Sequence, residues 1–192
     1  GLPLDAVHAI ADTSPAHFLE APATEVEALE AHLGRRLLLI AESDLNDPRL
    51  VRPRAAGGYG LDAQWSDDFH HALHAVLTGE RDGYYADFGG LAVLARAPTD
   101  VWVYDGRYSA FRRRRHGRPP TGLSADRFLG YLQNHDQIGN RALGERTSQL
   151  LDLRRLKIAA ALVLTAPFVP LLFQGEEWGA TAPFQYFTDH DG

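Results

Sequence analysis

The chain contains no cysteine, which excludes structural disulfides, Cys-ligated zinc and a thiol nucleophile, while leaving the compartment open. It also contains no methionine, so Gly1 is not a translation start and the chain reads as a piece of a longer protein. Long apolar runs are missing too. Ala159 to Leu164 is cut off by Pro167 and is too short to cross a bilayer, and no signal-like segment opens the sequence. There is no repeat and no low-complexity linker. Positive charge is scarce: the net charge is -6, which argues against general affinity for nucleic acid or an anionic membrane and favours a neutral partner. What is present, 45% hydrophobic and 23% charged residues over 192 positions, is the composition of an ordinary folded domain with its own core. The cytoplasm is the expected location.

Changes in hydrophobic period give the order of elements. Leu2 to Val7 reads as a strand, Ser14-Pro15 as a helix start, and Thr24 with Glu27 as a capping box opening a second helix that stops at Gly34. Leu37 to Ala41 is apolar without alternation, as in a parallel strand buried on both faces. Asp67 to Leu77 and Leu91 to Arg96 read as helices, Val101 to Tyr104 as a short strand, and Arg107 to Gly122 as a long basic loop. Phe128 to Leu132 is a strand, Gln149 to Leu164 a helix, and Val169 to Phe173 a last strand cut short by Gly175. Strands joined through helices favour parallel pairing in an α/β domain.

Acidic residues gather where these strands end: Asp5 after the first, Glu42 and Asp44 after the second, Asp136 beside His135 after the third, Glu176 and Glu177 after the last. A single strand-end acid is usually a turn former or helix cap. Four in succession suit the carboxyl-end face on which barrel active sites are built. Converging carboxylates fit glycoside hydrolysis, in which one acid stays ionised to attack while another holds a proton for the leaving oxygen. Metal binding by the same acids is the competing explanation. Other features suggest less. His70 and His74 share a helical face, but position 71 is His rather than Glu and no third ligand is evident. Arg112 to Arg115 reads as a solvated loop with rim contact to a sugar as the alternative, and Gly57-Gly58-Tyr59-Gly60 lacks nucleotide-loop spacing.

The segments Leu4-Asp5-Ala6-Val7-His8, Ala41-Glu42-Ser43-Asp44 and Gln133-Asn134-His135-Asp136-Gln137 resemble the motifs after strands four, five and seven of glycoside hydrolase family 13, the α-amylase superfamily, and occur in that order. Tyr59 to His71, Gly139-Asn140-Arg141, Gly175 to Gly179 and Phe184 to His190 resemble its trehalose-releasing subfamily. The resemblance implies the second half of a (β/α)8 barrel, strands four to eight with intervening helices, over residues 1-192, with the first half barrel and flanking domains absent. It implies Asp5 as nucleophile, Glu42 as general acid/base and Asp136 as the transition-state carboxylate. His8, Asp44, Tyr59, Trp65, His135, Gln137, Glu177 and Trp178 are the expected substrate-binding residues, with Phe184 and Tyr186 as further aromatic platforms. No cofactor and no metal are expected. The implied substrate is maltooligosyltrehalose, cleaved at the α-1,4 bond next to its terminal trehalose unit with retention of configuration. An α-amylase, a branching enzyme or a non-catalytic glucan-binding remnant are the alternatives.

One position departs from the family pattern. Pro3 stands two residues before Asp5, where the family has an Arg that would favour the ionised nucleophile. Proline is also confined to strand starts and edges. Because the missing half barrel would complete the site, the isolated chain is expected to be inactive.

Overall fold

The computed structural model describes residues 1–185; Tyr186 and the following residues of the last motif lie outside them. Five short parallel strands form one sheet in the order β1 (Leu2–Leu4), β2 (Leu39–Ala41), β3 (Ala63–Trp65), β6 (Phe128–Gly130) and β7 (Val169–Pro170). A separate antiparallel hairpin pairs β4 (Arg107–Ser109) with β5 (Arg114–His116). The helices between strands are α1 (Glu20–Leu33), α2 (Asp67–Thr78), α3 (Leu91–Asp100), α4 (His135–Gly139), α5 (Thr147–Leu150) and α6 (Leu153–Thr165). Sequential parallel strands with helical crossovers are the α/β architecture that the βα alternation predicts. No helix among the described residues is long and apolar enough to cross a membrane.

Side chains alternate across the strands and divide the interior in two. Leu39, Ala41 and Phe128 face the helices and join a large core with Phe69, Leu73 and Trp102, whereas Ala63, Trp65, Leu129 and Tyr131 form a smaller cluster with Ile40 and Leu171. Each fully buried large side chain contributes about 1.5–3 kcal/mol. Gly130 shows how close this packing is: a Cβ there would lie 2.9 Å from the Phe168 ring and 3.2 Å from Phe69. Its replacement by Val would force α2 off the sheet. The α2 helix carries Asp67 and Asp68 in its first turn, where the helix dipole favours negative charge, and ends at Gly79 with φ 82°.

Several expectations need correction. Ser14-Pro15 starts no helix, because Asp12 takes the Ser14 and Phe18 amides and holds that stretch in bends. Thr24 lies inside α1 and donates back to the Glu20 carbonyl, so it caps nothing. Val101 to Tyr104 is not a strand: the Val103 and Tyr104 amides donate to the Asp68 carboxylate, a side-chain acceptor in place of a neighbouring strand. The first part of the basic stretch is no loop but the β4–β5 hairpin, Arg107 to His116, and only residues 117–122 remain irregular. The predicted helix from Gln149 breaks at Leu151, and Asp152 caps α6 through the Arg155 amide. Finally, β3 is absent from the sequence reading, because Gln64 interrupts the continuous apolar run that marks the other parallel strands.

Pro3 leaves the pairing of β1 with β2 intact. The Leu2 amide and the Leu4 carbonyl make the bonds to the β2 side, at 2.7 and 3.0 Å. The intervening residue turns its backbone away from β2, so this ladder loses no donor.

Candidate active site

Asp5, Glu42 and Asp136 come together beyond the carboxyl ends of β1, β2 and β6. The Glu42 amide donates to Leu4 and the Val7 amide to Glu42, at 3.0 and 3.1 Å, which ties the exits of β1 and β2 side by side and sets Asp5 opposite Glu42. Between these bonds Ala6 is held at φ 45°, a left-handed conformation that costs a non-glycine residue free energy and is found where a chain is aimed at a site. Carboxylate oxygens of Asp5 and Glu42 and a ring nitrogen of His135 lie within 4.8 Å of one another. The His135 Nε2 is 3.5 Å from Asp5 Oδ1 and 3.4 Å from Asp136 Oδ1. Asn134 places this pair by accepting from the Asp136 amide, while its own amide donates to Gln137 in a reciprocal cap. Trp65 meets the His135 ring edge-on at 5.8 Å.

Glu42 is 8% exposed, whereas the Asp5 side chain is largely open. Burial, a hydrogen bond with Asp5 and the negative charge of Asp136 together push Glu42 up to about 9, so it holds its proton at neutral pH. Behind it, the Gln64 amide of β3 donates to the Ser43 carbonyl at 3.1 Å.

A cavity of about 180 Å³ opens beside these groups, lined by His8, Glu42, Asp44, Asp136 and Gln137 from the predicted set and by Asp67, His71, Tyr84, Arg112 and Asn140. The hairpin forms its wall. Arg112 donates to Asp44 Oδ2 at 2.8 Å, His116 meets the Asp44 carbonyl at 2.7 Å, and the Arg118 amide reaches the Asn46 carbonyl. The arginine stretch therefore carries a clamp on the loop that follows Glu42. Arg112 also holds Asp44 below the usual carboxylate range against the cost of burial.

Other predicted binding residues stand elsewhere. Tyr59 stacks on His17 at 4.3 Å, and Arg49 lies over its ring; it leads into the amino end of β3, away from the acids. Glu177 accepts from the Gly175 amide. Trp178, 75% exposed, lines a cavity of about 290 Å³ against α6, with Leu153, Leu156 and Ala160. Phe184 packs edge-on against Phe173. These four lie on no wall of the acid cavity among the described residues, a placement that strand-end reasoning could not give because it says nothing of loop direction.

The histidines of α2 are occupied. His70 bonds the Leu132 carbonyl and the Tyr85 hydroxyl, and His74 bonds Glu80, which also receives Arg141. His71 stacks on Tyr84, and burial pushes it down to about 3. Among the described residues the one group able to hold a metal is Asp5, Glu42 and His135.

No family model matches the chain. It is similar over nearly its whole length to curated proteins named malto-oligosyltrehalose trehalohydrolase. It is 56% identical over 191 residues to that of Arthrobacter ramosus, covering 99% of this chain and 33% of the relative. Identity is 52% over 189 residues with Saccharolobus solfataricus, covering 98% and 33%. With Mycobacterium tuberculosis it is 54% over 192 residues, covering 99% and 33%. A solved Salmonella typhimurium structure, provisionally described as an alpha amylase, matches with TM-score 0.87 and 38% identity over 99% of this chain and 33% of that one. An acarbose complex of Geobacillus thermoleovorans alpha-amylase shares the fold alone, with TM-score 0.53 and 22% identity over 95% and 33%. The chain spans about a third of the length of the curated relatives it matches, and their shared name bears out the subfamily resemblance read from its motifs.

Proposed function

We propose that this segment is the acid-bearing part of a retaining glycoside hydrolase that cleaves the α-1,4 bond next to the terminal trehalose unit of maltooligosyltrehalose, in the cytoplasm and without a cofactor. Its five parallel strands would be strands four to eight of a (β/α)8 barrel, completed by chain corresponding to the rest of its relatives. The observation that carries the chemistry is the pairing of an open carboxylate, Asp5, with a buried and protonated Glu42 whose oxygens lie within 4.8 Å. Retaining glycosidases hold their two carboxyls about 5–5.5 Å apart, inverting ones about 6.5–9.5 Å. The shorter spacing leaves no room for a water between acid and sugar.

In the first step Asp5 attacks the anomeric carbon and forms an ester with the sugar, while Glu42 gives its proton to the departing glycosidic oxygen. That bond converts Asp5 from an anion to a neutral ester. One of the charges holding the Glu42 proton then disappears, so the acidity of Glu42 rises when it must take a proton from the incoming water. Asp136, next to His135, supplies fixed negative charge to the cationic transition state and an acceptor for ring hydroxyls.

Incubating the full-length protein with maltooligosyltrehalose should release trehalose and a maltooligosaccharide, and NMR of the fresh product should show the α-anomer. Release of maltose and glucose from starch with no trehalose from that substrate would favour an α-amylase. Transfer of chains onto α-1,6 branches would favour a branching enzyme. Binding of maltooligosaccharide without turnover would mark a remnant disabled at Pro3.

A further inference from the structure

Asp67 stands two residues beyond β3, after Ser66, and opens α2, so the third strand, like the first and second, leads into a carboxylate. It lines the same cavity as Glu42, Asp44 and Asp136. The Tyr131 hydroxyl donates to Asp67 Oδ1, and Tyr131, the residue after β6, is completely buried. A first-turn acid that only complements the helix dipole needs no such donor from the next strand. Its neighbour Asp68 shows what a structural acid looks like here: one oxygen takes hydrogen bonds from Asn46, Val103 and Tyr104, and the residue is 4% exposed. Asp67 is tethered through one oxygen and stays half-buried on the cavity wall.

We propose that Asp67 is a fourth carboxyl group of the site and binds substrate, with Tyr131 fixing Oδ1 so that Oδ2 grips a hydroxyl of the sugar unit seated beside Glu42. This rests on the glucan-hydrolase reading above. A sugar hydroxyl donates and accepts equally well, so it can pair with the carboxyl in either protonation state. That matters because burial, helped by Asp44, Asp68 and Asp136, pushes Asp67 up to about 7. Placement at a strand end, with its tether on the adjoining strand, gives the rigidity a specificity contact requires.

The test uses the full-length protein with Asp67→Asn, Asp67→Ala and Tyr131→Phe, reading kcat and KM for trehalose release, the pH profile and thermal stability. Asp67→Asn keeps an acceptor for Tyr131 and is expected to lower kcat/KM about 10- to 100-fold and to change the shape of the profile near neutrality. Asp67→Ala should lose more, and Tyr131→Phe less, because its carboxyl remains but swings free. Unchanged kcat/KM and an unchanged profile in both Asp67 variants would overturn the proposal, as would losses that merely follow a fall in melting temperature. If the wild type releases no trehalose, the substrate assignment fails by itself. Calorimetry with maltoheptaose then decides the role of Asp67: weaker binding by both variants sustains it, and equal binding overturns it.

Discussion

Two groups of ionisable side chains lie on opposite sides of Trp65 and Tyr131, and they are handled in opposite ways. On α2, His70 and His74 have their ring nitrogens matched to the Leu132 carbonyl, the Tyr85 hydroxyl and Glu80, and burial keeps these histidines neutral. At the strand ends, Asp5, Glu42 and Asp136 are crowded together, and the conflict is met by a proton held on Glu42. Satisfied polar groups build structure, whereas groups left in conflict are poised for chemistry. The same contrast separates Asp68 from Asp67, one position apart.

Breaking the acid group should abolish activity and leave the fold intact. Glu42→Gln is expected to cut trehalose release about 10²- to 10⁴-fold, measured as kcat with circular dichroism unchanged. The same variant sharpens the contrast through stability. Because the folded-state pKa of Glu42 is raised to about 9, its contribution is intact below about pH 4 and is lost as pH rises toward 9. Glu42→Gln should therefore gain melting temperature over wild type progressively across that window and show little gain at pH 4; a gain independent of pH would contradict the burial account. Breaking the histidine group should do the reverse. His70→Leu strands a buried hydroxyl and carbonyl and is expected to cost about 1–3 kcal/mol in urea unfolding, with kcat of the folded fraction preserved. Arg112→Ala, which frees the Asp44 carboxylate while His116 still holds its carbonyl, should lower kcat/KM about tenfold with a small change in stability. Smallest is Pro3→Arg, expected to raise turnover a few-fold by placing a cation beside Asp5; an unchanged rate would remove the significance of that position.

Much of the candidate site was legible in sequence because strand exits fall at readable places. Asp5, Glu42, His135 and Asp136 each follow an apolar run, and their convergence needs only parallel order. Asp67 obeys the same rule but escaped it, since Gln64 breaks the apolar run by which the other strands are read. Arg112 was discounted as solvated charge, and nothing local in a run of arginines tells which one finds a carboxylate 68 positions away. Tyr59 and Trp178 erred the other way: an aromatic near a motif in sequence need not share its face in space. At residues 14–18 and 101–104 the misreadings share a cause: the side chains of Asp12 and Asp68 take the backbone amides that regular structure usually pairs.

The attachment of residues 101–104 to Asp68 has a consequence for how this region can change. A stretch built into a sheet is bound to a two-residue rhythm, and inserting one residue turns every later side chain to the wrong side. Here two amides clasp a single carboxylate and Trp102 drops into the core beside them. A change of chain length beyond this clasp thus shifts no strand register of the parallel sheet, which makes it the natural seam between the sheet that carries the acids and the hairpin that walls them.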